Sequence, residues 1–329
     1  MPDSNCKLDW ENNPNKLLDY LESGVLVSNP KRIHFYVPSF AHYKTKYYTT
    51  LQNRFQTFSI TGNRCVQKCA HCEGKILGTM QPTTTPKKLF ESALKLKQDG
   101  GTGCLISGGC LQDGTLPIQQ FIPTIYKIKS ELGLTIFVHT GIIDLETAKK
   151  LKKAKVDLAL IDVFGSEEIL KKLDIKIGSK EYIESLKALE KASLDFVPHV
   201  IVGLDKEKIK SEFNALKIIS FTKPSAIVII AFVPIQGTKM AQLQQPSPEQ
   251  IAKVLVATRL AFPKTSTALG CMRPKSKDQK ITTEIYALRA GVTAIAFPTE
   301  ETIKYSKING YKMTFSSNCC AQIYSDCVY

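Results

Sequence analysis

The sequence contains nothing close to the ~18 consecutive apolar residues that a membrane-crossing helix requires, which argues against a helical span. Its first residues, Met1-Pro2-Asp3-Ser4-Asn5, lack the charged-then-apolar layout of a secretory signal. No Pro-rich or Gly/Ser-rich stretch divides the chain, so composition marks no flexible linker. Nor are the basic residues gathered with aromatics into a nucleic-acid-binding module. They are dispersed, as in Lys149, Lys150, Lys152, Lys153 and Lys155. These absences lead us to expect a cytoplasmic protein that binds neither nucleic acid nor membrane.

What is present is ordinary in bulk. Hydrophobic residues make up 43% and charged residues 22% of 329 residues, enough for one large core or two smaller ones. The formal charge is +14, and a field of one sign favours encounter with an acidic partner. Ten cysteines are many for a cytosolic chain, where thiols serve metals, redox work or burial more than disulfides.

From Phe55 onward, short β-branched or apolar runs alternate with lysine-rich amphipathic stretches, the pattern of strand-helix units around a parallel sheet. The runs are Phe55–Thr61, Gly103–Ser107, Thr135–Thr140, Val156–Asp162, Phe196–Val202, Ala226–Val233, Thr267–Cys271 and Val292–Phe297. Helical spacing fits Lys87–Gln98, Ile118–Leu132, Leu145–Ala154, Lys180–Ala192, Lys206–Phe221, Pro248–Phe262 and Lys280–Ala290. Eight such strands predict a complete or nearly complete (β/α)8 barrel of the TIM type, with functional groups at the C-terminal strand ends. We expect the barrel over residues 55–298 and a helical extension over 1–54, with a helix between Trp10 and Leu26. A cysteine-rich tail over 299–329 is expected to pack across the barrel mouth.

The loop after the first of these strands reads Cys65-Val66-Gln67-Lys68-Cys69-Ala70-His71-Cys72. A structural zinc site needs four ligands, commonly two separated pairs, which this trio does not provide. A cubane iron–sulfur cluster takes one thiolate per iron, so three cysteines leave one iron open to an outside ligand.

This triad after a first strand resembles the radical S-adenosylmethionine superfamily, and the likeness runs from about Phe55 to Phe297. The resemblance implies a 4Fe–4S cluster on Cys65, Cys69 and Cys72, with S-adenosylmethionine chelated to the open iron. Reductive cleavage then yields a 5′-deoxyadenosyl radical, chemistry that only a cofactor can carry. His71 stands where members usually have an aromatic residue. The segment Ile106-Ser107-Gly108-Gly109-Cys110 resembles the glycine pair that contacts the methionyl end of the cofactor; only glycine permits such close backbone approach. Asp162, ending the fourth strand, is either a ribose contact or a cap or loop ion pair. His139 and His199 either face the cavity or sit hydrogen-bonded in the core. No side chain is singled out as a catalytic acid or base.

The Val202-Gly203-Leu204 run, Pro234-Ile235-Gln236-Gly237-Thr238 and Gly270-Cys271-Met272-Arg273-Pro274 resemble archaeal proteins related to biotin synthase. Subunits of a two-component lipoyl synthase are among them. That likeness implies sulfur insertion into an octanoyl chain on an acidic lipoyl carrier domain, a second related subunit and an electron donor such as ferredoxin. Cys271, Cys319, Cys320 and Cys327 are the candidates for an auxiliary 4Fe–4S cluster that donates sulfur. They can also be exposed thiols or an adventitious metal site. Two other readings stay open. One is a different radical reaction, such as biotin-type ring closure, methylthiolation or rearrangement, with structural cysteines. The other is a metal-stabilised binding protein without turnover. Asp162-Val163-Phe164-Gly165 departs from the asparagine and aspartate cluster of biotin synthase.

Overall fold

A computed structural model describes residues 13–28, 30–205 and 209–326 of the chain. Its strands are β1 (Arg32–Tyr36), β2 (Phe55–Ser59), β3 (Gln81–Pro82), β4 (Gly103–Ser107), β5 (Thr135–His139), β6 (Leu158–Asp162), β7 (Phe196–Val202), β8 (Ala226–Ala231), β9 (Ser266–Leu269), β10 (Ala294–Ala296) and β11 (Lys312–Ser316). All pair in parallel, in the order β11-β1-β10-β9-β8-β7-β6-β5-β4-β2-β3. A wholly parallel sheet is covered on both faces, and β4 to β10 are accordingly buried almost throughout, while the edge strands β3 and β11 are exposed or half-buried.

The helices are α1 (Lys16–Ser23), α2 (Pro86–Gln98), α3 (Ile122–Lys127), α4 (Leu145–Lys153), α5 (Glu167–Lys172), α6 (Ser179–Lys191), α7 (Lys210–Ile219), α8 (Pro248–Ala261), α9 (Lys277–Arg289), α10 (Glu300–Ile308) and α11 (Ile323–Asp326). Local chemistry starts several of them. Ser247 and Gln250 form a reciprocal capping box at α8, with Pro248 in the first turn. Thr85, Asp144, Ser166 and Thr299 each accept a backbone N–H at the starts of α2, α4, α5 and α10. The expected Trp10–Leu26 helix is α1 where the residues are described; Trp10 lies outside them. Among the described residues no helix is long and apolar enough to cross a membrane.

The eight expected runs are β2 and β4 to β10, in the expected neighbour order. The sheet is curled, but β10 does not pair with β2 to close it. Instead β1 from the N-terminal extension pairs with β10, and β11 from the tail pairs with β1. Side chains then bridge the two sides: the Ser39 hydroxyl meets both the N–H and the carbonyl of Phe55, at 2.8 and 2.9 Å.

The tail reaches into the interior of the curled sheet. Inward positions of the later strands are small, with Ala226, Ala268, Ala294 and Ala296 in the inner cluster, where barrels usually carry bulky branched residues. That leaves room in the bore, and Cys320, Ala321 and Ile323 fill it against Phe55, Leu158 and Ala226. These last three begin their strands, while Cys319 and Cys320 sense His139 and Cys271 at the C-terminal strand ends, so the tail lies along the bore. Tyr324 meets Phe137 edge-on, with ring centroids 6.2 Å apart. Burial, then the nearby carboxylates of Asp157 and Asp195, push its hydroxyl up to about 12. Tyr36 donates to Asp326 at 2.6 Å.

Because Ile323 is fully buried and Ile308 is 73% exposed, the same truncation separates the two. Ile323→Ala is expected to cost about 2–5 kcal/mol through transfer and cavity terms, and Ile308→Ala within about 0.5 kcal/mol. Denaturant unfolding of the two variants measures the difference; equal midpoints would remove the tail from the core.

Candidate active site

The triad loop leaves the C-terminal end of β2 and is held by neighbouring backbones. Val66 N and Gln67 N both donate to the carbonyl of Cys110, at 3.0 and 3.3 Å, and Ala70 N donates to Leu173 O at 2.8 Å. Lys68 and Glu73 adopt positive φ of 43° and 45°, a conformation that costs energy in non-glycine residues. The turns set three thiols on one loop.

Gly109 explains the tightness. A Cβ there would fall 2.1 Å from Arg64 O and 2.5 Å from the Cys65 Cα. Its N–H donates to the Thr61 hydroxyl at 2.7 Å. Gly108 is less crowded, with side-chain atoms of Leu116, Ile60 and Thr61 at 3.0–3.2 Å from a built Cβ. The glycine pair thus has a packing reason of its own, the close stacking of two strand-end loops.

The thiols are electrostatically joined. Cys69 and Cys72 share a hydrogen bond that raises the pKa of Cys69 and lowers that of Cys72; the His71 ring adds to the lowering at Cys72. One proton therefore resides on Cys69 while Cys72 is the readier thiolate. The Cys69 thiol also donates to Gln67 Oε1 at 3.5 Å. Around these sulfurs, Gln67 Nε2 and His71 Nδ1 are buried without a partner. Among the described residues no three His, Cys, Asp or Glu side chains form a set suited to one metal ion. A cubane instead distributes its thiolates over separate irons, and the donor set, three soft sulfurs with an unpartnered amide N–H group and an unpartnered imidazole nitrogen beside them, fits that larger group.

A second constellation lines the bore. His139 ends β5, Asp162 ends β6 and His199 lies in β7 opposite Asp162. His139 Nε2 is 3.6 Å from Asp162 Oδ2, an ion-pair distance, and both side chains keep 31% of their surface although protein surrounds them. Both face the inside of the curled sheet, where space is left beside them. Burial opposes charge on all three groups. For Asp162 the histidines, His139 first, override it and bring the carboxyl down to about 2. For His139 the carboxylate also prevails, and its pKa is raised. His199 has no such rescue: burial takes it down to about 4, leaving a neutral ring whose Nδ1 is 3.2 Å from Val197 O.

Toward the same bore come three of the four further cysteines. Cys271 follows β9, and burial of its sulfur, then the nearby Cys319, raises its thiol to about 11. Cys319 and Cys320 share a hydrogen bond that lowers Cys319 and raises Cys320; Cys319 feels His139, and Cys320 feels Cys271 and Arg273. Cys327 lies outside the described residues. Cys104 is fully buried in the core, as its strand position suggests.

Sequence reasoning gave Arg273 no role. Its guanidinium is 2% exposed, 3.2 Å from Glu284 Oε1, and donates to Phe297 O at 2.9 Å. Its Nε and Nη1 are buried without partners. Glu212 was missed as well: one oxygen accepts from Gly203 N at 2.8 Å, the other is unpartnered, and burial lifts its pKa to about 7. The signal for Arg273 was a charge three residues past the strand-end Gly270, and Glu212, nine residues past Gly203 and inside α7, gave none.

Two outcomes check this geometry. Gly109→Ala is expected to displace the Arg64–Cys65 backbone and speed alkylation of Cys65 several-fold, read by mass spectrometry; an unchanged rate refutes the close approach. Asp162→Asn is expected to drop the His139 pKa below its ordinary ~6.5, since burial alone disfavours the imidazolium. Ring titration by NMR measures it. By linkage, the depressed Asp162 stabilises the fold above about pH 4 and loses this as pH falls toward 2. The raised His139 contributes below about pH 6.5 and loses this above, so the pair is fully stabilising between those limits.

Comparison with known proteins agrees with the geometry. Residues 59–215 match the model of the Radical SAM superfamily. A biotin synthase of Leptospira biflexa is 26% identical over 225 residues, 65% of this chain and 62% of that protein, so less than two thirds of its length is matched. One from Coxiella burnetii is 24% identical over 246 residues, 73% of this chain and 75% of the relative. Among solved structures, methylornithine synthase superposes with a TM-score of 0.57 at 17% identity, covering 80% of this chain and 85% of that one. The FeFe-hydrogenase maturase from Carboxydothermus hydrogenoformans gives 0.59 at 14% identity, with 91% and 71% covered. The two structures share the fold with this chain, and the matched Radical SAM domain together with the biotin synthase relatives supports a radical SAM, biotin synthase-related protein.

Proposed function

We propose that this protein is a radical enzyme that inserts sulfur into C–H bonds of a protein-bound octanoyl chain, as a lipoyl synthase subunit. In this reading Cys65, Cys69 and Cys72 hold a 4Fe–4S cluster. With S-adenosylmethionine bound, that group supplies a carbon radical able to take hydrogen from an unactivated chain. The chain's own residues do the rest. Gly108 and Gly109 leave bare backbone beside the methionyl end. Asp162, held ionised by His139, accepts hydrogen bonds from ribose hydroxyls, and the neutral His199 ring offers a lone pair to the same space.

The sulfur-insertion reading is supported by the electrostatic proximity of Cys271, Cys319 and Cys320 to one another and to Arg273, a buried arginine with two unpartnered N–H groups. Soft thiolates favour an iron–sulfur unit, and a buried guanidinium offsets its negative charge. A second 4Fe–4S cluster there is the sulfur source. The net charge of +14 suits an acidic lipoyl carrier domain and an acidic, ferredoxin-type electron donor. A second related subunit takes part.

The curated relatives favour one other reading, biotin-type ring closure on a small molecule. Anaerobic reconstitution followed by reaction separates them. The expected result is about eight irons per chain, falling to about four in Cys271→Ala/Cys320→Ala. An octanoylated carrier incubated with cofactor and reductant gains two sulfurs by mass. About four irons in the unmutated protein, or sulfur gained only by a free small molecule, would overturn the proposal.

A further inference from the structure

We infer that Gln67 and His71 donate hydrogen bonds to the sulfurs of the cluster on Cys65, Cys69 and Cys72, and so raise its reduction potential. The inference rests on the reading of those cysteines as cluster ligands.

Both residues belong to the eight-residue triad loop, and both carry a buried nitrogen with no hydrogen-bond partner, Gln67 Nε2 and His71 Nδ1. A buried donor left unmade costs about 1–3 kcal/mol, and such orphans are rare in folded proteins. Two of them within five residues call for an acceptor that binds there.

Neither group is free to turn away. The Gln67 amide is anchored at its oxygen, which accepts the Cys69 S–H at 3.5 Å. The His71 ring packs on Phe164 with centroids 6.2 Å apart, and Phe164 is backed edge-on by Tyr182 at 5.8 Å. The residue at position 71 is thus fixed as a planar ring, but one that brings a nitrogen to the thiolates.

Ligation changes what Gln67 faces. Once Cys69 binds iron it has no S–H left to give, and an amide oxygen against a thiolate is repulsive. The anchor at the oxygen is lost with that proton, and the amide then gains by presenting its N–H to a cluster sulfur. Donors to cluster sulfurs favour the more negative, reduced state and raise its potential. Gln67 and His71 are in this sense positioning residues that act through the cluster.

The test uses the full chain, reconstituted anaerobically, with potentials read by EPR-monitored titration. Gln67→Glu and His71→Phe are each expected to retain the cofactor-responsive cluster. Each lowers its midpoint by the equivalent of about tenfold in the reduction equilibrium, about 59 mV for one electron. His71→Gln, which restores a donor, recovers part of the shift. In D2O, pulsed EPR of the unmutated reduced protein shows exchangeable deuterons coupled to the cluster, and the double variant loses those couplings. Unmoved midpoints with irons intact, or no exchangeable coupling in the unmutated protein, overturn the inference while the cluster reading stands. An unmutated protein that binds no cluster overturns the cluster reading itself.

Discussion

The arrangement depends on one close approach: the backbone of Gly109 lies against Arg64 and Cys65 with no space for a methyl group. Parallel strands β2 and β4 are neighbours, so their C-terminal loops emerge side by side. Only a residue without Cβ lets them touch. The contact seats the carbonyl of Cys110 where it takes both Val66 N and Gln67 N, and that pins the loop on which all three thiols stand. Positive φ at Lys68 and Glu73 is the strain this loop carries, repaid by those hydrogen bonds.

Charge is handled differently beside the two groups of cysteines. Beside the triad the imidazole of His71, its pKa raised by Cys72 and Asp162 against burial, faces the sulfurs, and the unsatisfied atoms are nitrogens of Gln67 and His71. Beside Cys271 and Cys320 the neighbour is a fixed cation, Arg273, itself anchored by Glu284. Between them His139 and Asp162 form an internal pair of opposite charge. His199 beside them is neutral because no carboxylate is close enough to outweigh its burial.

Much of this was legible in the sequence. The eight apolar runs coincide with β2 and β4 to β10 because strands of a parallel sheet are buried on both faces and read as continuous hydrophobic segments. The Cys65-Cys69-Cys72 spacing and the Gly108-Gly109 pair carry local signals. What was not legible is long-range. Nothing near Ile33 or Thr314 says that β1 inserts beside β10 and pairs with β11. The alanines at 226, 268, 294 and 296 look like modest strand residues until the curl of the sheet turns them inward together. Only then does an emptier bore, and hence the tail's place inside it, follow. The His139–Asp162 pairing likewise depends on two strands lying side by side in register.

The tail's position has a consequence for how the molecule is made. Residues 319–326 come after every strand in chain order, yet they supply part of the innermost packing, and Tyr36 finds its partner Asp326 290 positions away. Vectorial synthesis delivers the elements of a chain from the N-terminus onward, so the strand-helix units are all extruded while their axis is still hollow. The innermost packing is therefore complete only once residues 319–326 are in place, and until then the apolar faces they cover stay open to solvent.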